Sequence, residues 1–238
     1  MDTKFHKART RGHFNYGWLD TKHSFSFANY FDPEKMNFGV LRVLNDDVVE
    51  PGKGFDKHPH SNMEIITIPI SGKIKHRDSM GNEQFLNEND VQVMSAGTGI
   101  FHEEYNGSSN DDVNFLQIWI FPDKKNIKPV YNQKYYDPGL AINKWQILVS
   151  KNNKDSLIIN QNATISRIFL KKGKEISYKR TPGALGSYLF VINGTVSVVG
   201  ETLEERDALE IANYDIFVLN SKSDSYILNI EVPDVDNK

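Results

Sequence analysis

His58 and His60 stand two positions apart, and His102 and Glu104 repeat that spacing forty-two residues after His60. Residues two apart on a β-strand project to the same face, so each pair would present its side chains together. Two such pairs facing each other across a barrel make a four-ligand shell of three imidazoles and a carboxylate. Imidazole serves iron, nickel, copper and zinc, and a carboxylate adds one hard anionic donor. Around a divalent ion this set leaves a formal charge of about +1, which welcomes a monoanionic oxygen ligand. An ion that prefers more than four ligands keeps open positions, as catalytic centres do and closed structural sites do not.

The elements that must position these groups are strands. Runs at Met63 to Ile70, Asp90 to Met94, Asn114 to Phe121, Trp145 to Val149, Ala163 to Leu170, Tyr188 to Ile192 and Tyr226 to Val232 are rich in β-branched and aromatic residues. Turn signals separate them, at Ser71-Gly72, Met80-Gly81-Asn82, Asn87 to Asn89, Asn106-Gly107, Lys172-Gly173 and Asn193-Gly194. Helical periodicity is scarce, so the chain reads as all-β, a sandwich or small barrel.

An internal repeat divides the chain. Ile68 to Ile74, centred on Gly72, is similar to Phe190 to Val196, centred on Gly194, and each is followed by a turn with Asp90 or Asp207. The polar stretch Lys124 to Asn143, with Pro129, Pro138 and Gly139, reads as a linker. Counting back from Gly194 as from Gly72 puts Arg180 and Pro182 where His58 and His60 stand. Counting forward from Asp207 as from Asp90 puts Leu219 and Ser221 in place of His102 and Glu104. No histidine follows His102, so the second copy is expected to lack the metal ligands.

Composition removes several function classes. The 238 residues carry 28 basic and 31 acidic side chains, a formal charge of −3, with no sign of a polyanion-binding surface. Direct nucleic-acid binding is not expected. The first residues have no apolar leader core, and the longest apolar runs fall far short of a membrane span. A soluble, cytoplasmic protein is the expectation, and a monomer, because no obligate interface signal stands out. Zero cysteines exclude disulfides, thiolate catalysis and Cys-ligated metals.

The spacing Gly52-x5-His58-x-His60-x3-Glu64 with Gly72, and Gly99-x2-His102-x3-Asn106, resembles the two short motifs of the cupin superfamily. One extra residue precedes Gly72, and Gly97 stands where the general pattern has proline. The stretches Gly17 to Asp20, His23 to Ala28, Gly54 to His60, Asp78 to Gly81 and Met94 to Ile100 resemble the pirin family of bicupins, most densely from Arg11 to Pro122. The resemblance implies two tandem cupin-type barrels: residues 1–128 as the metal-binding domain, 129–144 as linker, and 145–238 as a second barrel without metal ligands. It also implies one divalent metal held by His58, His60, His102 and Glu104, with iron expected first and copper, nickel, manganese or zinc admitted by the ligand type. Many cupins use the first-motif glutamate instead, so Glu64 is second choice.

Some bacterial pirins open flavonols such as quercetin with dioxygen, and this chain resembles that kind in its His23 to Phe27 and Asp78 to Asn82 segments. The expected activity is therefore a dioxygenase acting on a flavonol-like enol, with Glu104 accepting the substrate hydroxyl proton. The alternative implied by animal pirins is a non-enzymatic, metal-bound regulatory module, and a hydrolase or isomerase on the same ligands is a third reading. Among the other polar residues, Glu103 is expected to face solvent, His6 and His76 to be solvated, His13 and His23 to pack among aromatics, and Asp78 to Asn82 to form a hairpin turn.

Overall fold

The computed structural model describes residues 1–235. Every strand expected from the sequence is present within two residues of its expected ends, for example Glu64–Ser71, Val113–Ile120, Thr164–Leu170 and Ser225–Val232. The strands form two barrels, each a large sheet facing a four-stranded one. In the first, a seven-stranded sheet runs in the order Val130–Tyr135, Asp90–Ser95, Glu64–Ser71, Val113–Ile120, Leu41–Val49, Leu19–His23, Gly12–Asn15. It faces Gly54–His60, Ile100–Asn106, Lys73–Asp78 and Glu83–Asn87. The second barrel repeats the plan with Gly186–Asn193, Ser225–Val232 and Thr164–Leu170 at the centre of its large sheet. Among the described residues no helix is long and apolar enough to cross a membrane.

The large sheets are buried on both faces, and this explains their nearly continuous apolar sequences. Leu44, Ile66, Ile68, Leu116 and Ile118 of one sheet join Ile165, Tyr188, Phe190, Leu228 and Ile230 of the other in a single core between the barrels. The alternate residues point into the barrels. In the second barrel they are apolar, Ile168, Leu189, Val191, Leu209 and Ile227 among them. In the first, one register row reads Asn45, Gln117, Thr67, Gln92 across four strands, a polar floor in the middle of a β-barrel.

Two features depart from the sequence reading. The stretch 129–144, read as a linker, contains the strand Val130–Tyr135, which pairs with Asp90–Ser95 at the edge of the first barrel. An edge strand has a solvated face, so its sequence stays polar. The chain also begins in the second barrel, since Asp2–His6 pairs antiparallel with Ala208–Ala212 before the chain enters the first.

Strand register corrects the repeat alignment. Thr67 and Leu189 each precede the shared glycine by five residues, and their partners across the sheet are Gln117 and Asn229. Beyond the glycine, Ile74 pairs with Asn106 and Val196 with Ser221. Counting back along those partner strands, Phe217 and Leu219 occupy the places of His102 and Glu104, and Tyr178, opposite Phe217, occupies that of His58. Each correspondence is two residues from the one obtained by counting along the chain, because the connecting loops of the copies differ in length.

Candidate metal centre

His58 and His60 lie on the edge strand Gly54–His60, the location in a sheet that tolerates Pro59 between them. His102 lies directly opposite His58 on Ile100–Asn106. The ring centroids are 4.4 Å apart for His58 and His102, and 4.9 Å separates His60 from each of the others. One ligating nitrogen from each ring lies within 4.8 Å of the other two. The pairing slips between His102 and Glu104, a β-bulge of the kind that re-aims side chains beside functional sites.

Hydrogen bonding orients these rings for ligation. His58 Nδ1 donates to the Asp56 carbonyl at 2.7 Å, which leaves the Nε2 lone pair free. His102 is 1 % exposed, yet neither of its nitrogens has a hydrogen-bond partner. A buried ring nitrogen without a partner is costly, and a metal ion removes that cost. Burial, reinforced by the neighbouring imidazoles, lowers His60 and His102 to about 3. Both are neutral at pH 7, the state in which imidazole binds a metal. The residues present therefore fit a divalent transition ion.

Glu104 is buried at the floor beside this cluster. Gln117 Nε2 donates to its Oε2 at 2.8 Å, while the Thr67 hydroxyl and Gln92 Nε2 donate to Oε1 at 3.1 and 3.4 Å. Its oxygen groups within 4.8 Å of nitrogens from His102 and His76, a second cluster that shares His102 with the first. Below it, Thr21 donates to the Asp47 carboxylate, whose burial pushes its pKa up to about 7. Glu64 faces the other way, toward the second barrel, accepting from Ser95 Oγ at 2.6 Å and Asn160 Nδ2 at 3.3 Å. It belongs to neither histidine cluster.

Several residues stand elsewhere than expected. His76 is fully buried rather than solvated: its Nε2 is 3.3 Å from Asp78 Oδ2 and its ring stacks on Tyr131 at 4.7 Å. His6 is buried as well, 2.8 Å from Glu210, because its strand joins the second barrel. His23 packs between Phe14 and Phe27, but His13 is exposed and bonds Asp20 at 2.8 Å. Asp78 closes a hairpin turn and accepts from Met80 and Asn82 backbone amides. Trp119 lies against His60 at 4.8 Å and Phe27 at 5.3 Å, forming the aromatic wall of the centre. His76 could be found from the alternation Ile74, His76, Asp78, whereas Gln117, Gln92 and Thr67 carry no local signal and become visible only through cross-strand register.

A cleft of about 220 Å3 lies on the outer face of this small sheet, where Lys57, Arg77, Phe101 and Glu103 alternate along the strands with the inward-facing histidines. Comparison with known proteins places this geometry among similar ones. The pirin family model matches residues 4–120, and that of the quercetinase C-terminal cupin domain matches residues 147–232. The chain is 41 % identical over 230 residues to the quercetin 2,3-dioxygenase of Escherichia coli K12, covering 96 % of this chain and 98 % of that one. A pirin-like protein of Caulobacter vibrioides is 38 % identical over 219 residues, 91 % and 94 % of the two chains. The crystal structure of the bacterial pirin YhhW from E. coli in complex with nickel(II) superposes with a TM-score of 0.93 at 38 % identity, over 98 % of this chain and all of the other.

Proposed function

The chain belongs to the pirin family of bicupins, and on that basis we propose that it is a metal-dependent dioxygenase that opens a flavonol-type enol. The observation that carries the proposal is the convergence of three neutral histidine nitrogens within 4.8 Å, with both nitrogens of His102 unpartnered. His58, His60 and His102 would hold one divalent ion, iron in the first instance, and Glu104, which shares His102 with a second cluster, would complete the set as an anionic donor. When bound, the ion would supply Lewis acidity toward a substrate oxygen.

The side chains of this chain do the rest. Gln117, Thr67 and Gln92 fix the Glu104 carboxylate, which takes the proton of the substrate 3-hydroxyl. Trp119 and Phe27 exclude water and offer aromatic edges to a planar substrate. The overall change inserts both atoms of dioxygen and expels the central ring carbon as carbon monoxide.

Oxygen uptake tests this directly. Metal-loaded protein given quercetin should consume one dioxygen and release one carbon monoxide per flavonol bleached, while His58→Ala protein is silent. A well-folded, metal-loaded sample that binds flavonol and consumes no dioxygen with any first-row metal would overturn the dioxygenase reading. It would leave a metal-bound regulatory module as the function.

A further inference from the structure

The second barrel carries no histidine at the positions matching the ligands, yet has a polar residue at the spot those ligands face in the first. Asn229 occupies the position of Gln117, and Leu219 that of Glu104. In the first barrel the amide at this spot holds the carboxylate. In the second, Asn229 is 0 % exposed and neither end of its amide has a hydrogen-bond partner. Ser166, its register neighbour on Thr164–Leu170, is buried with an equally unpartnered hydroxyl. An amide and a hydroxyl buried without partners are destabilising, so an apolar pair would be the stable choice for a purely structural core.

A cavity of about 420 Å3 lies at the mouth of this barrel, lined by Trp145, Thr164, Tyr178 and Glu231, with Asn229 and Ser166 one register row deeper on the same strands as Glu231 and Thr164. That volume suits a small ligand. The Tyr178 hydroxyl, which lines the cavity, is the polar group nearest Asn229 and Ser166 from that side. Glu231, one register row above Asn229 on the same inward face and 2 % exposed, accepts the Thr181 amide on Oε2 at 3.0 Å. Among the described residues no donor reaches its Oε1. Trp145 and Tyr178 meet edge to face at 5.2 Å and form an aromatic wall.

We propose that the second barrel is a metal-free binding site for a small neutral ring compound bearing adjacent hydroxyl groups. Its hydroxyls donate to Glu231 Oε1 and exchange hydrogen bonds with the Tyr178 hydroxyl, which is thereby turned onto Asn229 and Ser166 beneath it, and its ring lies on Trp145. Charge selects against the alternatives: an anion meets the Glu231 carboxylate, and an ammonium ion meets Lys179 at the cavity wall. The site is independent of the dioxygenase reading, since it shares no residue with the histidine cluster.

Two ring sources carry these hydroxyls, a catechol and a saturated sugar, and titrations of the full-length, metal-loaded protein with catechin and with methyl glucoside separate them. Amide and indole resonances followed by NMR locate binding. Shifts confined to Trp145, Tyr178 and the Asn229 side-chain amide with catechin support the aromatic source, and the same shifts with methyl glucoside support the saturated one. Glu231→Gln and Trp145→Ala, which alter the wall without opening the floor, should each weaken that binding at least tenfold and leave metal content unchanged. Asn229→Leu should weaken it through Tyr178, and its melting temperature reports whether the barrel has stayed folded. Absence of second-barrel shifts with both probes, or equal affinity in Glu231→Gln, would overturn the proposal.

Discussion

Gln117 and Glu104 belong to opposite sheets of the first barrel and meet at its centre, Nε2 donating to Oε2 at 2.8 Å. This bond fixes the carboxylate relative to the histidines across the barrel. Partners of this kind change metal affinity or activity by about 10–100-fold when removed.

Gln117→Leu should therefore lower turnover by roughly tenfold or more with the fold intact. Glu104→Gln should reduce turnover more than metal retention, because three imidazoles remain. Glu64→Gln should leave both nearly unchanged and cost about 1 kcal/mol of stability through its bonds to Ser95 and Asn160. Steady-state kinetics, metal analysis and denaturant melts on the three variants check this. Metal loss in Glu64→Gln alone would move the carboxylate ligand to that residue.

Purified protein should hold about one ion per chain, and His102→Ala should hold none. Leu219→Ala, in the place of Glu104 in the second barrel, should leave metal content unchanged. Elemental analysis showing two tightly held ions would contradict the assignment of a single centre.

Metal affinity should resist acid more than ordinary imidazoles allow. Two ligands of ordinary histidine pKa would together lose about a hundredfold in affinity between pH 7.5 and 5.5 through proton competition. His60 and His102, held near 3, contribute none of that loss. Competition titrations with a chelator of known pH dependence measure it, and a fall of a hundredfold or more would place protons on at least one of these two rings.

His23 sets a separate limit on acid stability. Its folded pKa is lowered by burial to about 4, below the unfolded value near 6.5. The unfolded state thus binds more protons than the native state between those values, and stability declines as pH falls from about 6.5 toward 4. The full loss is of the order of 3 kcal/mol at about 1.4 kcal/mol per pH unit. His23→Phe removes it, so the variant's urea midpoint should fall less than the parent's between pH 7 and 4. Parallel pH profiles would show that His23 does not carry the penalty.

Much of this molecule is legible in its sequence. The spacing of His58, His60, His102 and Glu104 identifies the strands that carry them, and Gly72 and Gly194 mark the two barrels. The polar floor is less legible, because Asn45, Thr67, Gln92 and Gln117 are scattered over four strands and meet only through register. Alternation along Leu41–Val49 or Val113–Ile120 also cannot say which face is the barrel interior, since both faces are buried. The placement of His6 depends on a partner strand 202 residues further along the chain, beyond the reach of any local pattern.

That same pairing sets an order of events during synthesis. The strand Asp2–His6 is made before the first barrel, yet its partner Ala208–Ala212 is made some 200 residues later, about 10–40 s at ordinary elongation rates. The first barrel can close in that interval while its leading segment waits unpaired. Severing the chain between the barrels would strand the two halves of this ladder on different polypeptides. The separated second barrel would then display Ala208–Ala212 as a bare edge, a template for self-association.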